Sequence, residues 1–201
     1  MYYKYGGSHF GTMADSNRFA KAYRSENLEF VVNQSIWFEG EAKFADVILP
    51  AASFVEKEGT FTNTERRCMR IHKAIEPVGD ALADWEIVSK FSAAMGYEMS
   101  YSGAEEIFNE MAKVTPSYGG MTYDRLGLDG LQWPCPNQEH PGTRFLHKDQ
   151  FTRGKGLFHA IEYLDPAEMP DEAYPYFLTT GRMFAHFHTG TMTRASAHLD
   201  S

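Results

Sequence analysis

Two short apolar runs limit most strongly what this chain can fold into. One is Leu28 to Val32; the other is Ala45-Asp46-Val47-Ile48-Leu49, stopped by Pro50. Both are short and rich in β-branched or large apolar residues, the pattern of strands buried in a parallel sheet. Two such strands joined by polar connections imply an α/β sheet. The flanking sequence supplies helices. Asp15 and Ser16 offer cap oxygens for a helix through about Arg24, after a flexible turn at Gly6, Gly7, Ser8 and Gly11. Asp84 can cap a second helix, in which Ile87, Val88, Phe91 and Met95 share a face and Gly96 marks the end. Ser102-Gly103-Ala104-Glu105 reads as a capping box, with Ile107, Phe108 and Met111 as the buried stripe behind it.

Other segments read differently. Glu56 to Asn63 is polar, contains Gly59 and is expected to be a loop. Cys68 to Ile75 alternates charged and apolar residues, which suits an exposed strand. From Pro116 to Gly156, Gly, Pro, Tyr and His dominate and periodicity disappears, so irregular structure is expected. Leu157–Tyr163 and Tyr174–Leu178 again read as strands.

The charge balance narrows the function classes. At 201 residues and a net charge of -8 the chain is acidic, which disfavours nucleic-acid binding. Arg66, Arg67, Arg70, His72 and Lys73 form a local basic run, either a solvated strand face or an edge for phosphate or an acidic neighbour. Cys68 and Cys135 lack CxxC spacing and cannot by themselves build a zinc site or an iron–sulfur cluster. No run approaches the roughly 18 apolar residues that span a membrane. The N-terminus has no signal-peptide pattern, and a cytoplasmic location is expected.

Three places carry candidate chemistry. The loop Glu56–Asn63 follows a strand, at the end of a sheet where ligands of α/β folds bind. Lys57 there could meet a phosphate, and Gly59 would let backbone approach closely. An ordinary polar loop fits the same pattern. The second place is Thr179-Thr180-Gly181-Arg182 followed by His186, His188, Thr189, Gly190 and Thr191. On a strand, His186 and His188 would share a face as a metal pair does. No third ligand is evident nearby, so hydrogen bonding to a polyanionic heterocycle fits better. A polar surface loop also fits. The third is Asp84, either a helix cap or a carboxylate that reads the N1–H and N2 amino donors of a guanine. There is no nucleophile–base pair, Walker loop or GxGxxG.

Taken in order, these segments resemble a known family. Ala45–Ala51, then Glu56-Lys57-Glu58-Gly59-Thr60-Phe61-Thr62-Asn63-Thr64-Glu65-Arg66-Arg67, then Asp84-Trp85-Glu86-Ile87 are similar to molybdopterin oxidoreductases of the dimethyl-sulfoxide-reductase superfamily. Gln132-Trp133-Pro134-Cys135-Pro136 and Arg153-Gly154-Lys155-Gly156-Leu157-Phe158 resemble the formate dehydrogenase branch. Gly181-Arg182 with His186, His188 and Thr189–Arg194 resembles the start of that family's C-terminal domain. Gly6-Gly7-Ser8-His9 departs from the usual Asn-Pro or Asp-Pro and is more similar to pyrogallol-type transhydroxylases.

The resemblance implies an α/β fold: part of a Rossmann-like parallel-sheet domain over residues 1–115, an irregular connecting segment over 116–172, and the first strands of a C-terminal β-barrel domain over 173–201. It implies a bis-molybdopterin guanine dinucleotide cofactor holding Mo or W. Gln34 and Ser35 would meet one nucleotide, Lys57 a phosphate or the pterin, and Asp84 a guanine. Thr180, Gly181, Arg182, His186, His188 and Thr189 would contact the second pterin. The implied reaction oxidises formate to carbon dioxide. Electrons would leave through a 4Fe-4S cluster of the full-length protein to electron-transfer subunits or a ferredoxin- or NAD-linked partner. The family's metal-ligating Cys or selenocysteine, its catalytic His and its cluster cysteines are expected upstream of Met1. Alternatives are a nitrate reductase, a transhydroxylase, or a non-catalytic cofactor-binding or assembly module. Metal analysis and formate-dependent dye reduction on the purified chain are expected to give background values; activity above background would overturn that expectation.

Overall fold

The computed structural model describes residues 1–38 and 40–199. The chain divides into two compact units, Met1–Leu146 and His147–Ser201.

The first unit contains the expected parallel sheet. Strands β1 (Tyr2–Tyr5), β2 (Val31–Ser35) and β3 (Val47–Pro50) lie in the order β1-β2-β3, all parallel. The apolar runs overlap β2 and β3, whose bounds lie one to three residues further along than expected. β2 is central and Val31 to Gln34 are buried. β3 is not buried on both faces as expected, because it has a full strand partner on one side only: Val47 and Ile48 are each 38% exposed. A parallel bridge between Ala51 and Leu82 extends that side of the sheet beyond β3.

Short helices α1 (His9–Thr12) and α2 (Ser16–Tyr23) connect β1 to β2. Ser8 caps α1 through Gly11 N–H at 3.1 Å, and Asp15 caps α2 through Arg18 N–H at 3.1 Å. Their aromatic side chains lock together: the Phe10, Tyr23 and Phe44 rings stack with centroids 5.5–5.9 Å apart. Beneath them lies a buried ion pair. Lys4 Nζ is 3.5 Å from Glu41 Oε2, with side chains 6% and 1% exposed. Glu41 Oε1 also accepts from the first amides of α1, those of His9 and Phe10, and Lys4 donates to Gly7 O at 2.5 Å. This pair fixes the turn that leaves β1.

An antiparallel sheet completes the unit. The expected loop at 56–63 contains strand β4 (Gly59–Thr62), because its residues pair with β5 (Arg67–Ile71), which in turn pairs with β6 (Leu131–Gln132). Helix α3 (Asp84–Ala94) returns to the parallel sheet, while α4 (Ala104–Val114) packs on β4 and α5 (Tyr123–Leu126) on β5. Glu106, not Glu105, accepts from Ser102 N–H at 2.7 Å, so the reach-back before α4 is one residue longer than expected. The core here is Cys68, Phe108, Met121, Tyr123, Leu126 and Cys135.

Residues 116–146 were expected to be irregular, yet they form much of this core. Their elements are two to four residues long, too short to show periodicity. Two guanidinium groups hold the rest. Arg66 donates to the carbonyls of Trp133, Thr143 (2.9 Å) and Arg144 (3.0 Å). Arg125 donates to those of Gly120, Asn137 (3.3 Å) and His140 (2.6 Å). Gly120 is required by contact: a Cβ there would lie 1.9 Å from Asn137 O.

In the second unit the strands expected at 157–163 and 174–178 do not form. Alternation specifies a strand only when a neighbour takes its backbone groups, and among the described residues of this unit the pairing is a single bridge, Phe151 to Gly154. Phe158, Ile161 and Leu178 are 90–99% exposed. No described helix is long and apolar enough to cross a membrane.

The Lys4–Glu41 pair yields a stability prediction. Burial raises the Glu41 pKa, but the backbone amides and Lys4 outweigh it and leave it below the ordinary carboxylate value. Its stabilisation is therefore present above the unfolded pKa of about 4.3 and lost as pH falls through the lower folded value. Glu41→Ala should cost about 3–5 kcal/mol in urea unfolding at neutral pH, since Lys4 would be left buried and unpaired. Glu41→Gln should flatten the acid limb of the stability profile; an unchanged limb would show that the charge does not matter.

Candidate functional site

The carboxyl ends of β1, β2 and β3 form one rim of the parallel sheet, the side on which α/β folds bind ligands. Gln34 is the penultimate residue of β2 and 1% exposed. Its Nε2 donates to Asp84 Oδ1 at 2.9 Å. The other carboxylate oxygen, Oδ2, accepts from Lys57 Nζ. Three residues from separate segments, singled out for nucleotide binding by sequence, thus meet at one point.

Each arrives for a local reason. Asp84 begins α3 but does not cap it, contrary to expectation. The cap position is Ala83, whose N–H donates to Glu86 Oε2 at 2.9 Å, and the Asp84 oxygens are already engaged by Gln34 and Lys57. Lys57 follows a turn tied down by buried Glu56, which accepts from Ser53 N–H at 2.7 Å and Val78 N–H at 3.1 Å. Ser35 lies beside the cluster; its hydroxyl accepts from Trp37 N–H at 3.3 Å and its carbonyl from Ala51 N–H at 3.1 Å.

Sequence reasoning missed two members of this rim. Tyr3 Oη donates to Gln34 Oε1, and the Tyr3 ring packs 5.2 Å from that of Phe91 on α3. Burial first, then the Asp84 charge, pushes the Tyr3 phenol above its ordinary pKa. Tyr5 is shifted the same way, by burial, by the Asp84 charge and by a hydrogen bond to that carboxylate. The signal was available: Tyr2-Tyr3-Lys4-Tyr5 ahead of Gly6-Gly7 is a strand-and-turn pattern with aromatic residues that favour strands.

The basic run resolves mainly into structural contacts. Arg66 holds the 133–144 backbone, and Arg67 bonds Glu65 and Asp129 O. Arg70 lies 4.2 Å over the Tyr123 ring, and Lys73 pairs with Glu76.

The second unit places its predicted residues differently. Thr180, Gly181 and Arg182 lie on exposed backbone. His186 and His188 do not share a strand face, because the chain turns there: His188 has φ 53° and its ring packs 4.2 Å from Phe187. His186 Nδ1 is 2.8 Å from Thr193 Oγ1, whereas its buried Nε2 has no hydrogen-bond partner. Thr189 Oγ1 lies 3.1 Å from Thr191 Oγ1. Among the described residues no group of three or more His, Cys, Asp or Glu could hold a metal ion.

A family model described as molybdopterin oxidoreductase matches residues 1–94, the segment carrying the Gln34, Lys57 and Asp84 cluster. This segment carries a molybdopterin oxidoreductase domain. Its strong relatives are formate dehydrogenase alpha subunits. The chain is 50% identical over 189 residues to the F420-dependent formate dehydrogenase subunit alpha of Methanocaldococcus jannaschii, covering 92% of this chain and 28% of that protein. It is 53% identical over 185 residues to the F420-dependent formate dehydrogenase 2 subunit alpha of Methanococcus maripaludis, covering 90% of this chain and 27% of that protein. The chain thus spans about a quarter of the length of these relatives. Acetylene hydratase from Pelobacter acetylenicus is a similar solved structure, with a TM-score of 0.49 and 20% identity over 61% of this chain and 16% of that one.

The cluster makes a thermodynamic prediction for this molybdopterin oxidoreductase segment. Lys57 and Asp84 are 22% and 25% exposed, so water screens their pair only in part. A double-mutant cycle with Lys57→Met and Asp84→Asn should give a coupling of about 1–2 kcal/mol. A value below about 0.3 kcal/mol, the limit of simple additivity, would show that the two do not act together.

Proposed function

We propose that this chain is part of the catalytic (alpha) subunit of a formate dehydrogenase, and that the rim of its parallel sheet holds the guanine end of a molybdopterin dinucleotide. The observation that carries the reading is the Asp84 carboxylate. It lies at the carboxyl end of a parallel sheet, is one-quarter exposed, and has Oδ1 engaged by Gln34 and Oδ2 by Lys57, with the exposed Tyr5 hydroxyl as a third donor. A carboxylate oxygen accepts two hydrogen bonds, so once Tyr5 gives way one acceptor position per oxygen is left for a ligand. That spacing fits the adjacent N1–H and N2 amino donors of guanine. The residues present therefore fit the nucleotide that the family implies.

In this reading the cofactor is bis-molybdopterin guanine dinucleotide with Mo or W, and it supplies the two-electron redox chemistry that converts formate to carbon dioxide. This chain's residues bind and orient. Asp84 reads the base, and Gln34 and Ser35 close the β2 end of the site. Arg182, His186, His188 and the threonines from Thr180 to Thr189 are assigned to the second pterin, with the unpartnered Nε2 of His186 as the group best suited to take a ligand bond. Residues 173–201 would begin a barrel domain whose strands need partners from elsewhere. A 4Fe-4S cluster belongs to the proposed complete enzyme. The names of the relatives at 50–53% identity support F420 as the electron partner.

Calorimetric titration of the purified chain with GMP and AMP tests the nucleotide assignment. GMP should bind at least tenfold more tightly than AMP, a difference of about 1.4 kcal/mol. Asp84→Asn should remove the preference, because an amide presents only one acceptor. Equal binding of the two nucleotides by the unaltered chain would overturn the assignment.

A further inference from the structure

We infer that Tyr3 and Lys57 are positioning residues that set base specificity at this rim, Tyr3 acting through Gln34, by holding the Asp84 carboxylate in one plane. The inference rests on the proposed guanine site and adds to it which residues decide between purines.

The argument begins with Gln34. Its side chain is 1% exposed, so water does not satisfy its amide. An amide has a donor end and an acceptor end, and here each has a single protein partner. Tyr3 Oη donates to Oε1, and Nε2 donates to Asp84 Oδ1 at 2.9 Å. The carboxylate, which only accepts, turns the Nε2 end of the amide toward itself, and the Tyr3 hydroxyl holds the amide in that place by donating to Oε1. Tyr3 is itself registered against α3, the helix that carries Asp84, by the Phe91 ring 5.2 Å away. On the other side Lys57 Nζ meets Oδ2. Two donors on opposite oxygens stop the carboxylate from rotating about its Cβ–Cγ bond, so the two remaining acceptor positions stay in one plane. Lys57 thus serves the base end of the nucleotide. Tyr5, 59% exposed, is the donor near Asp84 that can yield to an arriving base.

A planar pair of acceptors favours a base with two adjacent donors. Guanine has both, hypoxanthine has only N1–H, and adenine presents an acceptor at N1. The ratio of GMP to IMP affinity therefore reports the carboxylate plane, whereas a residue that only supports the fold would weaken both ligands alike.

The test is calorimetry on the whole chain with GMP, IMP and AMP. The unaltered chain should prefer GMP over IMP by about tenfold, the scale of one hydrogen bond to a charged group. Tyr3→Phe keeps the ring against Phe91 but frees the amide, and should reduce that preference to about twofold or less while GMP still exceeds AMP. Lys57→Met should do the same, and Lys57→Arg should restore most of it. Lys57 is on a partly exposed loop, so its variants decide the matter if Tyr3→Phe fails to fold. An unchanged GMP-to-IMP ratio in a folded Lys57→Met chain would overturn the inference and leave the guanine site standing. Failure of the unaltered chain to distinguish GMP from AMP would instead overturn the site itself.

Discussion

The buried amide of Gln34 has a partner at each end, and much of the first unit is arranged around those two bonds. Gln34 lies on the central strand β2 and is 1% exposed. A buried amide without partners costs about 1–3 kcal/mol, a large share of a domain's net stability. Gln34 avoids that cost by drawing a tyrosine from β1 and a carboxylate from α3 toward the end of β2. Once Asp84 is there, its charge needs a counter-ion, and Lys57 on the segment after β3 supplies it. One polar residue in the middle of a sheet thereby ties together four segments at the rim where a ligand would bind. A hydrophobic residue at position 34 would pack as well and would leave that rim without its architecture.

The same logic operates beneath the turn after β1 and in the stretch before Leu146. Lys4 and Glu41 are both buried, and each would be costly alone; their pairing, with the first amides of α1 on Glu41 Oε1, offsets much of that cost, although Glu41 Oε2 faces Lys4 without a hydrogen bond. In the 133–144 stretch the unpaired groups are backbone carbonyls. Arg66 gathers three of them, and Arg125 gathers two more together with the carbonyl of Gly120. A guanidinium offers five donors in a rigid fork, so one side chain can replace several rungs of a missing ladder. This is why a segment with almost no regular structure can contribute Cys135, which is wholly buried.

These particulars explain what could be read from the sequence. The parallel sheet was legible because apolar runs enter β2 at Val31 and Val32 and cover the core of β3, and α3 because Ile87 and Phe91 repeat at helical spacing. Asp84 and Lys57 were legible as functional candidates mainly through their order along the chain, since a carboxylate at a helix start and a lysine in a polar loop are each common. Their meeting was not legible: it depends on the fold bringing together residues 34, 57 and 84, which periodicity does not encode. β4 was missed because Gly59-Thr60-Phe61-Thr62 becomes a strand only through pairing with Arg67–Ile71. Arg66 read only as part of a basic run, either a solvated strand face or a binding edge, and Arg125 was not singled out, because nothing local marks an arginine that serves distant carbonyls.

The second unit shows the limit of pattern from the other side. Leu157–Tyr163 and Tyr174–Leu178 carry strand alternation, yet their large side chains stand in solvent and their backbone forms no ladder. Alternation states which face of a strand would be buried; it does not supply the neighbour that makes burial favourable, and ordering a residue costs about 1–2 kcal/mol before any contact is gained. The turns at 183–196 are ordered differently, by local bonds such as Arg194 N–H to Gly190 O at 2.7 Å and His186 to Thr193. Local bonds can fix a turn without a sheet. They hold His186 with one ring nitrogen bonded and the other buried and unpartnered, which sets its orientation before any ligand arrives. The polar residues of this unit are therefore positioned to different degrees: His186 by its own neighbours, and Thr180 to Arg182 only as far as their exposed backbone is held.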